Sequence, residues 1–160
     1  KDWRIIRELD GHCRFDWVMM ANSFTIMNHP PELIEFVDSL ADRNIAFINS
    51  ALTHGGFLVG GKFLDYREPD PMNHADAARL EWRRQFVEIC QQFDQTPYDV
   101  AIAFGVSHPA VTSVALSTSR PDRVKSMVAA ANRRPPVDIW KELRVKGLID
   151  QAFPHLPDTE

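Results

Sequence analysis

Apolar positions along the chain fall into two kinds of run, and the runs alternate. Trp3, Ile5, Ile6 and Leu9 lie at helical spacing, and Gly11 stops that pattern. Residues 15–21, Phe-Asp-Trp-Val-Met-Met-Ala, are nearly continuously apolar and are bounded by Asn22 and Ser23. Such a run predicts a strand covered on both faces, as in a parallel sheet. Pro30-Pro31 opens a helix, because proline is preorganised for a first turn. Glu32 and Glu35 complement the positive end of its dipole. Leu33, Ile34, Phe36, Val37, Leu40 and Ala41 then recur at helical spacing until Arg43-Asn44. Residues 45–52 read as a second buried strand, and residues 111–116 as a third, rich in β-branched side chains.

Between the second and third strands the pattern predicts three things. First comes a loop of about 20 residues with Gly55, Gly56, Gly60, Gly61, Pro69 and Pro71, a length at which loops are functional or flexible. A long helix follows over 74–93, with Trp82, Phe86, Ile89, Cys90 and Phe93 on one face. A further helix starts at Thr96-Pro97-Tyr98-Asp99, where Thr96 suits the N-cap and Asp99 resembles a capping box. After the third strand a helix carries Val124, Met127, Val128 and Ala131. A last helix over 137–146 is closed by Gly147, and residues 148–160 read as an extended strap. Each strand-to-strand passage contains a helix, so the three strands are expected adjacent and parallel in chain order. Three parallel strands alone leave both sheet edges open. The pattern is therefore a small open sheet or a slice of a larger α/β fold.

Composition narrows the classes. The chain has 160 residues, 44% hydrophobic and 25% charged, which fits an ordinary globular protein and excludes a collagen-like or low-complexity chain. Its 18 Lys+Arg against 22 Asp+Glu give a net charge of -4, with no broad electrostatic footprint for nucleic acid. Cys13 and Cys90 make neither a disulfide framework nor a metal-ligand pair, so a reduced, cytoplasmic setting is expected. The longest apolar runs fall far short of the roughly 20 residues that span a bilayer, so no membrane partner is expected. The chain begins Lys1-Asp2-Trp3 without an initiator Met, as a processed chain or a piece of a longer one would.

Sites of parallel α/β folds lie at the C-terminal strand ends. That directs attention to residues 22–25, 50–61 and 117–123. His54 stands at such an end beside Gly55-Gly56 and reads equally as a site residue or a turn residue. Glycines there permit close backbone approach to a phosphate, or simply a mobile turn. Ser117-Thr118-Ser119-Arg120, with Arg123 one turn on, precedes a helix; it fits an anion site or a capped helix with solvated arginines. His29 and His108 each precede a proline and read as turn residues. No Gly-x-Gly-x-x-Gly, Walker or zincin-like spacing occurs, and no metal site is expected. Asp65, Glu68 and Asp70 read as a solvated face, Arg79, Arg83 and Arg84 as solvent-facing, and Trp82 and Trp140 as core.

Three segments together resemble the C-terminal half of the aldo-keto reductase family. Residues 15–27, Phe-Asp-Trp-Val-Met-Met-Ala-Asn-Ser-Phe-Thr-Ile-Met, are similar to the family's sixth barrel strand, with Phe24 in a Tyr place. Residues 49–61 with Phe63-Leu64-Asp65-Tyr66-Arg67 resemble its Ser-Pro-Leu-x-x-Gly loop after strand seven, with Ala51 for Pro; the second piece is similar to the branch of D-threo-aldose 1-dehydrogenases. Residues 96–104 and His108-Pro109-Ala110-Val111 resemble the helix and turn before strand eight.

The resemblance runs from about Trp3 to about Ile149 and implies the following. The fold would be an α/β (β/α)8 TIM barrel, of which residues 1–160 supply strands six to eight of one domain and lack the N-terminal half. The full protein would be an NAD(P)-dependent oxidoreductase moving a hydride at C1 of an aldose or at another carbonyl. The family's catalytic Asp, Tyr, Lys and His come from earlier strands, so this chain would carry none and be inactive alone. The cofactor, NADP or NAD, would have Phe24 stacked on its nicotinamide, and Ser50, Leu52, Thr53, His54 and Gly55 along its pyrophosphate. Ser117, Thr118, Ser119, Arg120 and Arg123 would border its adenosine ribose and any 2′-phosphate, with Arg123, or Arg120 in its place, deciding between NADP and NAD. Ser126 and Met127 replace the family's Glu-Asn pair, which weakens adenine recognition, and Ser117 replaces a Lys. The partners implied are a sugar or other small carbonyl substrate and the missing half-barrel. The rival from another class is a non-catalytic aldo-keto reductase-like subunit or scaffold that binds nucleotide.

Overall fold

The computed structural model describes residues 2–157. In chain order its elements are α1 (Trp3–Asp10), β1 (Trp17–Ala21), α2 (Pro31–Asp42), β2 (Ala46–Ser50), α3 (His74–Gln92), α4 (Pro97–Gly105), β3 (Val111–Ala115), α5 (Val124–Ala131) and α6 (Val137–Val145). The expected elements all form, with ends trimmed by one to a few residues. The three strands are parallel and lie in the order β1-β2-β3, as the helix-containing crossovers require.

Local chemistry explains the helix ends. The Thr96 hydroxyl accepts from the Asp99 N–H at 3.1 Å and donates to the Asp99 carboxylate at 2.7 Å, so the start of α4 is closed from both sides. Gly147 takes φ +70 just past α6, and its N–H donates to the Arg144 carbonyl.

The register shows which side of the sheet is covered. Met20 pairs with Asn49, Val18 with Phe47, and these four side chains are buried beneath the helices. Trp17 and Met19 point to the opposite face and are 58% and 45% exposed. The expectation of strands buried on both faces is met on one face among the described residues. Among the described residues helices cover one face only, and β1 alternates exposed and buried side chains. In β3 Thr112, Ser113 and Ala115 are likewise exposed. A bulge at the start of the β2–β3 pairing sets Ile48 against Ser113 rather than Thr112.

The core lies between the sheet and α2, α3, α4 and α6, with Phe24, Phe47, Phe86 and Phe104 fully buried. The strap is part of it. Phe153 stacks on Phe104 with ring centroids 4.8 Å apart, and Leu148, Ile149 and Leu156 are buried. Residues 158–160 of the expected strap lie outside the described residues. No described helix is long and apolar enough to cross a membrane.

Candidate functional site

The parallel register brings three strand exits side by side. Ala21 pairs with Ser50 and Ser50 with Ala115, so the segments after β1, β2 and β3 leave the same edge of the sheet. Asn22 and Ala51 both take positive φ there (57° and 54°), which turns the chain sharply off the sheet. The Asn22 N–H donates to the Ser50 carbonyl at 3.2 Å and ties the first exit to the second.

The glycine-rich segment after β2 has more structure than its composition implies. It forms a 3-10 turn over Phe57–Val59, flanked by Gly56 and Gly60 in the left-handed region, with Phe57 and Leu58 fully buried. Arg83 of α3 holds it down. The guanidinium lies 4.3 Å over the Phe57 ring and donates to the Gly61 carbonyl at 3.0 Å. Arg83 is thus not the solvent-facing residue its helical position implied. A Cβ at Gly61 would stand 2.7 Å from the Gly56 carbonyl oxygen, so only glycine fits this close backbone approach. At Gly55, φ +65, a Cβ would meet nothing within 4 Å, so the backbone there is open to a ligand.

Beyond this turn Arg67 grips Asp76 of α3 with two hydrogen bonds, and the Asp70 N–H adds a third at 2.9 Å. The Arg67 hydrogen bonds, then that of the backbone, hold the Asp76 carboxyl down to about 2.

A cleft of about 860 Å³ opens beside the first two strand exits. Its walls include Trp3, Asn22, His54, Asp65, Arg79 and Trp82. His54 is 7% exposed, and its Nε2 shares a 2.7 Å hydrogen bond with the hydroxyl of fully buried Thr25. Burial pushes the His54 imidazole down to about 4, Asp65 opposing and Arg79 adding to the effect. His54 is therefore neutral near pH 7. Asp65 and Arg79 are exposed and Trp82 packs against the core, as the sequence pattern implies, and all three also line the cleft. The one legible signal is the i,i+3 spacing of Arg79 and Trp82, which puts both on one face of α3.

The remaining expected site residues divide. Phe24 is a correction: it is 0% exposed and packed against Phe47, Phe104, His108 and Phe153, which leaves no ring face for a nicotinamide. Ser50 is buried and its hydroxyl donates to the Met20 carbonyl, while Leu52 is buried against Ile102 and Ala130. The Thr53 side chain is half-buried, and its carbonyl accepts from the Gly56 and Leu58 N–H groups, both at 3.1 Å. Ser117, Thr118, Ser119, Arg120 and Arg123 are all exposed at the β3 exit, outside the cleft. Thr118 accepts from the Arg120 N–H at 3.1 Å, and the Arg120 guanidinium pairs with Asp122 at 2.8 Å. Arg123 has no ion pair among the described residues. Next to this turn lies a shallower, mostly apolar hollow of about 320 Å³ walled by Val114, Leu116, Thr118, Val124, Met127 and Val128.

The chain matches the family model "Aldo/keto reductase family" over residues 1–145. It is 24% identical over 152 residues to pyridoxal 4-dehydrogenase of Microbacterium luteolum, covering 92% of this chain and 42% of that protein. Two solved structures of an aldo-keto reductase from Bacillus halodurans, in holo and apo forms, match with TM-scores of 0.62 and 0.60 at 19% and 18% identity. Each match covers 97% of this chain and 50% of the other, a likeness of fold. The chain thus spans about half the length of the relatives it matches, and its parallel sheet with helices corresponds to part of a (β/α)8 barrel.

Proposed function

The chain belongs to the aldo/keto reductase family, and from that premise we propose that it supplies the cofactor-binding part of an NAD(P)-dependent oxidoreductase. The observation that supports this reading is the register Ser50↔Ala115, by which the segments carrying Gly55 and Ser117–Ser119 leave neighbouring strands at the same end of the sheet. An elongated dinucleotide can run across both exits there.

Each part of that edge suits a different part of the ligand. The backbone at Thr53, His54 and Gly55 would lie along the pyrophosphate, where no Cβ at Gly55 obstructs it. The apolar hollow of Val114, Leu116, Val124 and Met127 offers an apolar wall to the adenine, with Ser117, Thr118 and Ser119 near its ribose. Apolar packing there would stand in for the hydrogen bonds that a Glu-Asn pair at positions 126 and 127 would make to the base. Arg123, free of ion pairs among the described residues, would take a 2′-phosphate, whereas Arg120 is engaged by Asp122. When bound, the nicotinamide supplies the hydride chemistry. This chain's residues bind and orient. His54, neutral and fixed by Thr25, forms a hydrogen-bonding wall of the cleft rather than a proton store at neutral pH.

The acid/base group and the rest of the catalytic set would come from the other part of the barrel, and the setting would be the cytoplasm. The proposed reaction is oxidation of an aldose at C1, or reduction of a carbonyl. A relative named for pyridoxal places that aldehyde in the same test panel. The test is formation of reduced nicotinamide by the full-length protein with NAD or NADP, given aldoses and pyridoxal in turn. Turnover with an aldose supports the reading. Tight cofactor binding with no turnover on any carbonyl compound would favour the nucleotide-binding scaffold instead, and failure to bind either cofactor would overturn both.

A further inference from the structure

Three ionisable side chains far apart in sequence meet at a place that neither the cleft nor the cofactor edge uses. Asp38 comes from α2, His108 from the turn before β3, and His155 from the C-terminal strap. The His108 side chain is 0% exposed. Its Nε2 lies 3.2 Å from the Asp38 Oδ1 but makes no hydrogen bond. The Nε2 of His155 is also buried without a partner. The two imidazole rings stand 4.0 Å apart at 55°, and one donor atom from each of the three residues falls within 4.8 Å of the others.

Buried polar atoms are nearly always partnered, yet the His155 Nε2 has no partner and the His108 Nε2 has only a poorly aligned contact with the Asp38 carboxylate, so a shared partner would satisfy both. Two imidazoles and a carboxylate are a donor set for Zn²⁺ and related transition-metal ions. Tetrahedral bonds of about 2.0–2.1 Å put neighbouring donor atoms roughly 3.3 Å apart. The Asp38–His108 spacing already meets that edge, while the His155 donor, within 4.8 Å of both, would have to close towards them on binding. Asp38, 54% exposed, leaves an approach from solvent for the ion and for a water as fourth ligand. His108 Nδ1 accepts from the Ala110 N–H at 3.1 Å, so the neutral metal-free ring carries its proton on Nε2. Binding at Nε2 moves that proton to Nδ1, where it would face the Ala110 N–H, so the turn at residues 108–110 has to shift to part the two donors.

We propose that Asp38, His108 and His155 form a site for a tetrahedral divalent transition-metal ion of the Zn²⁺ class, which staples the C-terminal strap to α2. The probe is Co²⁺, added to chelator-treated full-length protein, with Zn²⁺ as competitor. The expected result is an intense visible band of tetrahedral Co²⁺ that Zn²⁺ abolishes, together with a rise in Tm on Zn²⁺ addition. Asp38→Asn and His155→Gln, both nearer the surface than His108, should each weaken binding roughly tenfold or more. His12→Gln, at an exposed histidine elsewhere, should bind as the unaltered protein does. Absence of a tetrahedral band, or equal affinity in Asp38→Asn and the unaltered protein, overturns the proposal. Because Asp38 is largely exposed, its variant keeps the test decisive even if a strap substitution disturbs folding.

Discussion

A single histidine carries the clearest pH consequence. His54 titrates near 6.5 in an unfolded chain and at about 4 when buried beside Thr25. Above 6.5 both states are neutral and nothing is lost. As pH falls from 6.5 towards 4, the unfolded chain takes up a proton that the folded one refuses, so stability falls. For this one group the loss from pH 7 to pH 5 is about 2 kcal/mol. His54→Gln should remove that part of the pH dependence, and denaturant titrations of both proteins at the two pH values check it. Parallel curves would mean that His54 becomes protonated in place. The same scale shows a limit of sequence reading. His54 was legible as a candidate from its position at a strand end. Phe24 was misplaced because its burial depends on Phe104 and Phe153, which arrive from α4 and the strap at no recognisable spacing.

At the level of elements, the turn after β2 is held by backbone closeness at Gly61 and by the Arg83 clamp. Gly61→Ala forces a Cβ against the Gly56 carbonyl and should destabilise by about 1–3 kcal/mol, read in a denaturant melt. Arg83→Ala should leave the global melt nearly in place while amide exchange over residues 57–61 speeds up roughly tenfold. Unchanged exchange would show that Phe57 and Leu58 hold the turn unaided. The glycine and proline content of residues 55–71 marked an irregular connection correctly. It hid the packing because Phe57 and Leu58 are too few to form a periodic pattern, and their partner Arg83 lies more than twenty residues away. Strand order, by contrast, was readable, since each passage between apolar runs holds a helix and parallel pairing follows.

Across the whole molecule, the sheet has one apolar face without a covering layer among the described residues. Trp17, Met19 and Ile48 line it, and in a (β/α)8 barrel such side chains fill the interior. An apolar run on both faces of β1 was visible in the sequence. What covers the second face was not, because the chain spans only about half of its relatives. Met19→Glu should therefore markedly lower the Tm of the full-length protein, since a carboxylate would be buried in the barrel without a partner. An unchanged Tm would place this face in water. The central claim, that the β2 and β3 exits hold a dinucleotide, is tested most directly by titrating NADP and NAD into the full-length protein and its Arg123→Ala variant. A charged hydrogen-bonded contact contributes on the order of 1.5–3 kcal/mol, and about 1.4 kcal/mol is tenfold in affinity. The account predicts that NADP binding weakens by roughly tenfold or more while NAD binding stays nearly the same. Unaltered affinity for both cofactors, or no binding of either by the unaltered protein, would contradict it.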